Sequence, residues 1–196
     1  MKLLIASNNK NKILEIKSKL SNSSLEIVSP IELGIENFDV EETEETLEGN
    51  AELKAKAFYE KTGLASFSDD TGLFVEALDG RPGVYSARYA GENASFKDNC
   101  EKLLGELDGV ENRNAYFRTV ICFYDGNKSE FVDGICKGKI IEEMRGEKGF
   151  GYDPIFIPDS YKNTFAELDS SVKNEISHRG KATDSFVKLL NEKFNS

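Results

Sequence analysis

Short apolar runs alternate with amphipathic stretches over the first third of the chain, a pattern typical of strands that alternate with helices. Lys2–Ala6 is apolar between polar flanks and predicts a buried strand. The spacing of apolar residues over Ile13–Leu20 predicts an amphipathic helix, and Leu25–Val28 predicts a second strand before Pro30. Residues 36–48 are rich in acids and poor in apolar anchors, which predicts an exposed loop.

The alternation continues through the middle of the chain. Leu47–Lys61 predicts a helix with one buried side. The inward positions of that helix are Leu47, Ala51, Lys54, Ala55 and Phe58. Leu64–Phe67 predicts a third strand that ends at Ser68–Gly72, and Leu73–Leu78 predicts a short helix after it.

From Phe96 onward the period changes from helix to strand and back to helix. Phe96–Leu107 predicts a helix. An antiparallel hairpin follows, with strands at Ala115–Tyr124 and Glu130–Lys137. After the hairpin we predict a further strand at Lys139–Arg145, a glycine-rich loop at Gly146–Pro158 and a C-terminal helix at Ser177–Phe194. The last helix is expected to turn Phe186, Leu189, Leu190 and Phe194 toward the core. We predict a mixed α/β fold, a single domain over residues 1–196 with one or two lobes.

Composition and charge narrow the possible functions. The 196 residues carry a formal charge of −10, so no general basic surface is available for duplex nucleic acid. A single histidine excludes a metal site built from several histidines, and three cysteines without CxxC spacing make a disulfide framework improbable. No apolar run approaches the ~18 residues of a membrane span, and the N-terminus does not resemble a signal peptide. We therefore expect a cytoplasmic protein without a membrane partner.

The first polar cluster, Ser7–Lys12, lies between a predicted strand and a predicted helix. Small polar residues there leave backbone N–H groups at a helix N-terminus, and Lys10 or Lys12 adds full positive charge. The cluster fits a phosphate cradle. It fits equally well a capped helix start with solvated lysines.

The second cluster is the carboxylate pair Asp69 and Asp70, followed by Thr71 and Gly72. Two adjacent carboxylates repel each other unless they are solvated or a cation lies nearby. Mg²⁺ suits such a pair, because it takes one or two carboxylates together with phosphate oxygens and water. The alternative is an aspartate that caps the predicted helix at Leu73. Spacing alone does not decide which carboxylate carries chemistry.

The third cluster is the run of acids from Glu41 to Glu45. Most of it is expected to be solvated, although one glutamate could complete a metal site with Asp70 if the loop folds back over the strand end. Lys54, on the next helix, could reach a phosphate. An exposed ion pair is the alternative for this lysine.

The fourth cluster combines Gly149–Pro154 with Ser177–Gly180. Glycines on both sides of Phe150 allow a bend that presents the ring as a stacking platform for a base. Asp153 can accept a hydrogen bond from a base, and His178 or Arg179 can donate one. Alternatively, His178 is only a helix-end residue.

The rest of the sequence contains neither a Walker-type phosphate-binding loop nor the motif of a nucleophile for covalent catalysis. Gly134–Lys139 is one residue short of Walker spacing and lacks the following Ser or Thr. No nucleophile elbow is present to pair with His178. A metal-dependent reaction that uses water is therefore favoured over a covalent one.

Five segments, in order along nearly the whole chain, resemble the motifs of the ITP/XTP pyrophosphatases, the inosine triphosphatase-like hydrolases. They are Ser7–Lys12, Ser68–Leu73, Pro82–Tyr89, Gly149–Phe156 and Ile176–Ala182. Any one of these segments would carry little weight, whereas five in order are specific. The resemblance implies an elongated mixed β-sheet flanked by helices, in two lobes with an active-site cleft between them. It also implies a homodimer that uses Mg²⁺ and hydrolyses ITP, dITP and XTP to the monophosphate and pyrophosphate.

The resemblance assigns roles by position. Asp70 matches the family's proton acceptor, and Glu42 and Asp70 would hold Mg²⁺ while water attacks the α-phosphorus. The positions implied for binding the triphosphate are Ser7, Asn8, Asn9, Lys10, Asn11, Lys12 and Lys54, and Thr71 keeps the hydroxyl of the serine that is frequent there. The positions implied for the nucleobase are Phe150, Gly151, Tyr152, Asp153, Lys173, His178 and Arg179. Because Glu44 and Glu45 are additional acids for this family, Glu41, Glu45 and Asp69 stay open as alternative metal ligands.

Three other functions are compatible with parts of the sequence. A Maf-like pyrophosphatase would act on other bases, and the segments around Phe150 and His178 argue against it. A nucleotide sensor without catalysis would not need Asp70, Asp69 and Lys12. A structural α/β protein with incidental loops is the third alternative, and a pyrophosphate-release assay separates all three.

Overall fold

The computed structural model describes residues 2–21, 26–36 and 38–194. Its strands are β1 (Lys2–Ile5), β2 (Glu26–Val28), β3 (Ser66–Val75), β4 (Pro82–Gly83), β5 (Asn114–Tyr124), β6 (Ser129–Ile140) and β7 (Phe156–Pro158). Its α-helices are α1 (Lys10–Leu20), α2 (Leu47–Thr62), α3 (Phe96–Glu106), α4 (Ser170–Ile176) and α5 (His178–Phe194). The predicted α/β class is confirmed.

The strands form one mixed sheet in the order β2-β1-β3-β5-β6-β7, with β4 beside β3. β1 runs parallel to both β2 and β3, so that Leu4 lies opposite Val28 and Ser66. Parallel neighbours need a crossover connection, which α1 provides between β1 and β2. Helix α2 lies on the connection from β2 to β3, the strand on the other side of β1. β3 with β4, and β6 with β7, are antiparallel.

The chain divides into two compact units. The first comprises Met1–Asp70, Thr119–Gly134 and His178–Ser196, and the second comprises Thr71–Arg118 and Ile135–Ser177. The boundaries fall within β3, β5 and β6, so each of these strands contributes residues to both units.

Apolar side chains of α1 and α5 build the core of the first unit. Ile16 and Leu20 of α1 are buried in one cluster with Phe186 and Leu190 of α5. The ring of Phe186 lies 4.7 Å from that of Phe67 on β3. Burial of each such side chain contributes about 1.5–3 kcal/mol, so this core fixes β3 relative to both helices.

Aromatic rings dominate the core of the second unit. The ring centre of Phe156 on β7 lies 4.8 Å from that of Phe117 on β5 and 5.2 Å from that of Phe165. Leu103 of α3 and Leu107, directly after that helix, are fully buried in the same cluster. This core supports the segment that precedes β7.

The prediction that the third strand ends at Ser68 was wrong. β3 continues through Asp69 and Asp70 to Val75, and the helix predicted at Leu73 is replaced by a 3₁₀ turn at Glu76–Leu78. The polar residues do not end the strand because their side chains find buried partners. The Ser68 hydroxyl, for example, donates to the carbonyl oxygen of Ala51 on α2.

Several other boundaries also differ from the prediction. β6 runs unbroken to Ile140, so the separate strand over Lys139–Arg145 is wrong. The predicted C-terminal helix is preceded by a second helix, α4, which the sequence analysis missed. Phe194 is 40% exposed rather than in the core. Leu25, at the start of the second predicted strand, lies outside the described residues.

Within residues 2–21, 26–36 and 38–194, each helix is too short or too polar to span a membrane.

Candidate active site

The first polar cluster forms the capped start of α1. Asn9 is the N-cap, and its Oδ1 accepts hydrogen bonds from the backbone N–H groups of Asn11 at 3.0 Å and Lys12 at 3.3 Å. The Ser7 hydroxyl accepts from the N–H of Asn9 at 3.2 Å, and the Asn8 amide donates to the carbonyl oxygen of Phe38. The Ser7 and Asn9 side chains therefore satisfy the N–H groups of Asn9, Asn11 and Lys12, as expected for the alternative of a capped helix start. Lys10 and Asn11 are exposed, as a phosphate contact requires.

Lys12, in contrast, is not solvated. Its Nζ lies 3.2 Å from Oδ2 of Asp69, whose side chain is completely buried. Arg179 reaches the same oxygen from α5, with its Nε at 3.2 Å. Burial by itself would raise the pKa of the Asp69 carboxyl, but the charges of Lys12, Arg179 and Lys54 outweigh it and hold that pKa well below its usual range. Asp69 is thus an ionised structural anchor for two cationic side chains.

The second carboxylate, Asp70, faces Lys54. The Lys54 Nζ lies 3.3 Å from Oδ1 of Asp70 and 2.5 Å from Oε1 of Glu42, and it donates to the backbone oxygen of Asp69 at 2.9 Å. Burial raises the pKa of Asp70 despite the opposing charge of Lys54. For Lys54 the effect of burial is outweighed by the carboxylates of Asp70, Glu42 and Asp69, which raise its pKa. The lysine is cationic and mostly buried rather than an exposed ion-pair partner.

Helix α2 holds Lys54 in this position because its buried side is tied to β3. Ala51 and Ala55 are fully buried, and the hydroxyls of Ser66 and Ser68 on β3 donate to their carbonyl oxygens. Leu47 and Phe58 are also buried, as predicted. The small alanines let the helix approach the strand closely, and Lys54 therefore points along β3 toward the two aspartates.

Glutamates of the acidic run differ in their surroundings. Glu42 is half-buried against Lys54, whereas Glu41, Glu44 and Glu45 are exposed. Glu42 and Asp70 thus share a cationic neighbour, Lys54. Among the described residues no group of three or more His, Cys, Asp or Glu side chains is arranged to hold a metal ion. Two carboxylates facing one cationic group do fit Mg²⁺ bound together with phosphate oxygens.

Arg179 and His178 begin α5, and both are buried. The guanidinium of Arg179 also pairs with Glu15 of α1, at 2.7 Å from its Nη1. These contacts join Arg179 to Lys12 and Asp69. Its role toward a nucleobase stays a prediction. We use the name charged cluster for the seven side chains of Lys12, Glu15, Glu42, Lys54, Asp69, Asp70 and Arg179.

The second unit contains a separate polar group around Asp153. Oδ2 of Asp153 accepts from the backbone N–H of Phe150 at 2.8 Å and from Nζ of Lys173 at 2.7 Å. The same Nζ lies 4.9 Å from the centre of the Phe150 ring. Tyr152 is buried, and its hydroxyl donates to the carbonyl oxygen of Ser86. The predicted residues Phe150, Asp153 and Lys173 therefore form one connected group, here called the Asp153 cluster.

Glycine at position 149 is required by this arrangement. Gly149 has a φ of +78°, and an added Cβ would lie 2.1 Å from Oδ2 of Asp153. Gly151 has a φ of +63°, but nothing lies within 4 Å of its added Cβ. The first glycine thus serves both backbone conformation and packing, whereas the second serves conformation alone.

Replacement of Gly149 by alanine is therefore expected to lower the free energy of unfolding more than replacement of Gly151. Both variants carry the strain of alanine at positive φ, but only Gly149→Ala displaces the carboxylate that bonds Phe150 and Lys173. The difference is expected to be about 1.5–3 kcal/mol, the typical value of a hydrogen bond to a charged group. Urea titrations of the two variants measure it, and equal losses would contradict the role given to Asp153.

Thr71 and Gly151 are the remaining residues that the sequence analysis assigned to the site. Thr71 is half-buried on β3 directly after Asp70, and Gly151 is half-buried between Phe150 and Tyr152. Sequence analysis missed Glu15, which belongs to the charged cluster, and Asn50, which contacts Asp70 of that cluster. Asn50 had a recognisable signal, since it lies one turn after Leu47 on the buried side of α2 and is a polar residue where an apolar one is expected.

Comparisons with known proteins agree with this description of the fold. The model of the Ham1 family matches residues 3–189. A relative from Flavobacterium psychrophilum, named dITP/XTP pyrophosphatase, is 53% identical over 187 residues, which cover 95% of this chain and 97% of the relative. The solved structure of the Staphylococcus aureus Ham1 protein has a TM-score of 0.88 and 40% identity and covers 98% of this chain and 100% of its own. A HAM1 protein structure from Coxiella burnetii has a TM-score of 0.89 and 37% identity, with 98% and 99% covered.

Proposed function

The chain belongs to the Ham1 family, and we propose that it hydrolyses the nonstandard purine nucleoside triphosphates dITP, ITP and XTP to the monophosphate and pyrophosphate. Relatives named dITP/XTP pyrophosphatase, which match nearly the whole chain, support the substrate class. The observation that carries the proposal is the charged cluster. It joins a buried carboxylate, Asp70, to a lysine that can exchange its carboxylate partners for phosphate oxygens.

In this proposal Asp70 orients and deprotonates the water that attacks the α-phosphorus. Burial raises the pKa of Asp70, and a carboxylate with a raised pKa is the better proton acceptor. Lys54 and Lys12 neutralise the negative charge that develops on the leaving pyrophosphate. Asp69 acts indirectly, because it holds Lys12 and Arg179 in place.

Glu42 and Asp70 would hold Mg²⁺. When bound, Mg²⁺ supplies charge stabilisation at phosphate oxygens as a Lewis acid. The net charge of the charged cluster supports the binding of a divalent cation. Its three cationic and four carboxylate side chains leave a net negative charge when all are ionised, which disfavours a polyanion, and a divalent cation reverses that sign.

The Asp153 cluster would select the base. Hypoxanthine and xanthine present a 6-oxo acceptor and an N1–H donor, whereas adenine presents the reverse pattern. Asp153 would accept from N1–H, and Phe150 would stack on the ring. Sites of this type discriminate by roughly 10⁴–10⁵, because the wrong base leaves buried polar groups unpaired.

We also propose that the protein acts as a homodimer in the cytoplasm. Tyr85, within the Pro82–Tyr89 segment that matches the family, is 51% exposed and offers apolar surface for a second copy. Light scattering of Tyr85→Ala against the unaltered protein tests this surface.

Pyrophosphate release from dITP, XTP, ITP, ATP, GTP and dTTP, with Mg²⁺ and with a chelator, tests the proposed function. We expect kcat/KM for dITP and XTP to exceed that for ATP by at least about 10², with loss of turnover in the chelator. Preference for dTTP would favour the Maf-like alternative. Binding of dITP without turnover would favour the sensor.

A further inference from the structure

Asn50 is a polar side chain on the buried side of α2. It is fully buried, and its neighbours on that side include Leu47 and Ala51. A buried amide must satisfy its donors and acceptor within the protein, since an unsatisfied one costs about 1–3 kcal/mol. The hydrogen-bond partners of the Asn50 amide therefore show which segments of the chain it holds together.

Both ends of the Asn50 amide bind the acidic loop that precedes α2. Oδ1 of Asn50 accepts from the backbone N–H of Glu44 at 3.0 Å, and Nδ2 donates to the backbone oxygen of Glu44 at 3.2 Å. This pair of bonds clamps the loop backbone at one residue. Gly49 allows the close approach, because an added Cβ would lie 2.7 Å from Cβ of Glu44.

The same amide also reaches the charged cluster. Nδ2 of Asn50 lies 3.5 Å from Oδ2 of Asp70, while Oδ1 of Asp70 faces Lys54. Glu42, two residues before the clamped Glu44, meets the same lysine. One side chain thus links the loop that carries Glu42 to the strand that carries Asp70.

We propose that Asn50 is a positioning residue that holds Glu42 and Asp70 in register, so that the two carboxylates can share one divalent cation. This inference rests on the proposed function for its meaning, but it concerns how the two carboxylates are held rather than which nucleotide is hydrolysed. Residues that orient the ligands of a metal typically change its affinity by roughly 10–100-fold when they are replaced.

Two variants separate positioning from general stability. Asn50→Ala removes the clamp, whereas the control Asn99→Ala removes a different buried amide of the same kind, on α3. Oδ1 of Asn99 accepts from the backbone N–H of Ala90 at 2.7 Å, and its Nδ2 donates to the backbone oxygen of Ala87 at 3.0 Å. Thermal unfolding of both variants reports stability.

Metal binding is then measured in two ways. Mn²⁺ alone, without nucleotide, is titrated into each protein by water-proton relaxation. The Mg²⁺ concentration for half-maximal pyrophosphate release is measured at saturating dITP. We expect both values to rise about tenfold or more in Asn50→Ala and to stay unchanged in Asn99→Ala.

The results also distinguish this inference from the proposed function. Unchanged Mn²⁺ binding in Asn50→Ala, an equal loss in Asn99→Ala, or no Mn²⁺ binding to the unaltered protein would each overturn the positioning role. If the unaltered protein binds Mn²⁺ with the expected dependence on Asn50 but releases no pyrophosphate from dITP, the positioning role stands and the proposed function fails.

Discussion

Replacement of Asp70 by asparagine is expected to lower kcat for dITP by about 10²–10⁴-fold, the factor that a positioned acid–base group typically contributes. An amide keeps the shape of the side chain but cannot take a proton from water. It is also a weaker ligand than a carboxylate for a hard cation such as Mg²⁺. The expected loss is therefore in kcat above all.

The fold is expected to tolerate this change. Because burial raises the pKa of Asp70, its ionised form is less favourable in the folded chain than in the unfolded chain, and stability falls as the pH rises through its titration. A neutral asparagine removes that unfavourable contribution, and Lys54 keeps its ion pair with Glu42. Thermal unfolding of Asp70→Asn and of the unaltered protein near neutral pH compares their stabilities.

Asp108→Asn makes the same chemical change at an exposed position and serves as the control. It should match the unaltered protein in both turnover and unfolding. If Asp70→Asn retains most of the turnover, Asp70 is not the proton acceptor.

Replacement of Arg179 by alanine is expected to lower the free energy of unfolding by about 3–5 kcal/mol, the typical loss when one partner of a buried ion pair is removed. The side chains of Arg179 and Asp69 are 3% and 0% exposed, so water cannot replace the lost guanidinium. Asp69 would lose one ion-pair partner and keep Lys12 at 3.2 Å, and Glu15 would lose its contact with Nη1 of Arg179 at 2.7 Å.

A matched control and a double variant test the explanation. Arg81→Ala breaks an ion pair with Glu106 whose side chains are 58% and 27% exposed, and it should lose no more than about 1 kcal/mol. Adding Asp69→Asn to Arg179→Ala removes the uncompensated charge, so the double variant should lose less than the sum of the single losses. Simple additivity would show that the two groups do not interact.

Periodicity predicted the helices better than it predicted the strands. The apolar spacing in α2 located both the helix and its buried side, because each buried residue there follows from local geometry. β3 was predicted too short, because Ser68, Asp69 and Asp70 are polar by type and become strand residues only through partners on α1, α2 and α5. Those partners are distant in sequence, and no local pattern contains them.

The candidate site divides in the same way. Lys12, Lys54 and Asp70 were identified from residue type and from the family's motifs, and the structure brings all three into the charged cluster. The contacts of Asn50 and Glu15 were not predictable. Each depends on pairing between segments that only the folded chain brings together, Asn50 with Glu44 and Asp70, and Glu15 with Arg179.

Hydrolysis of dITP in ¹⁸O-labelled water, with Mg²⁺ present, tests the central claim most directly. Attack by water on the α-phosphorus, assisted by Asp70, places the label in the nucleoside monophosphate and none in the pyrophosphate. Label in pyrophosphate or in orthophosphate would show attack at another phosphorus, and either result, or the absence of any hydrolysis, would contradict the account.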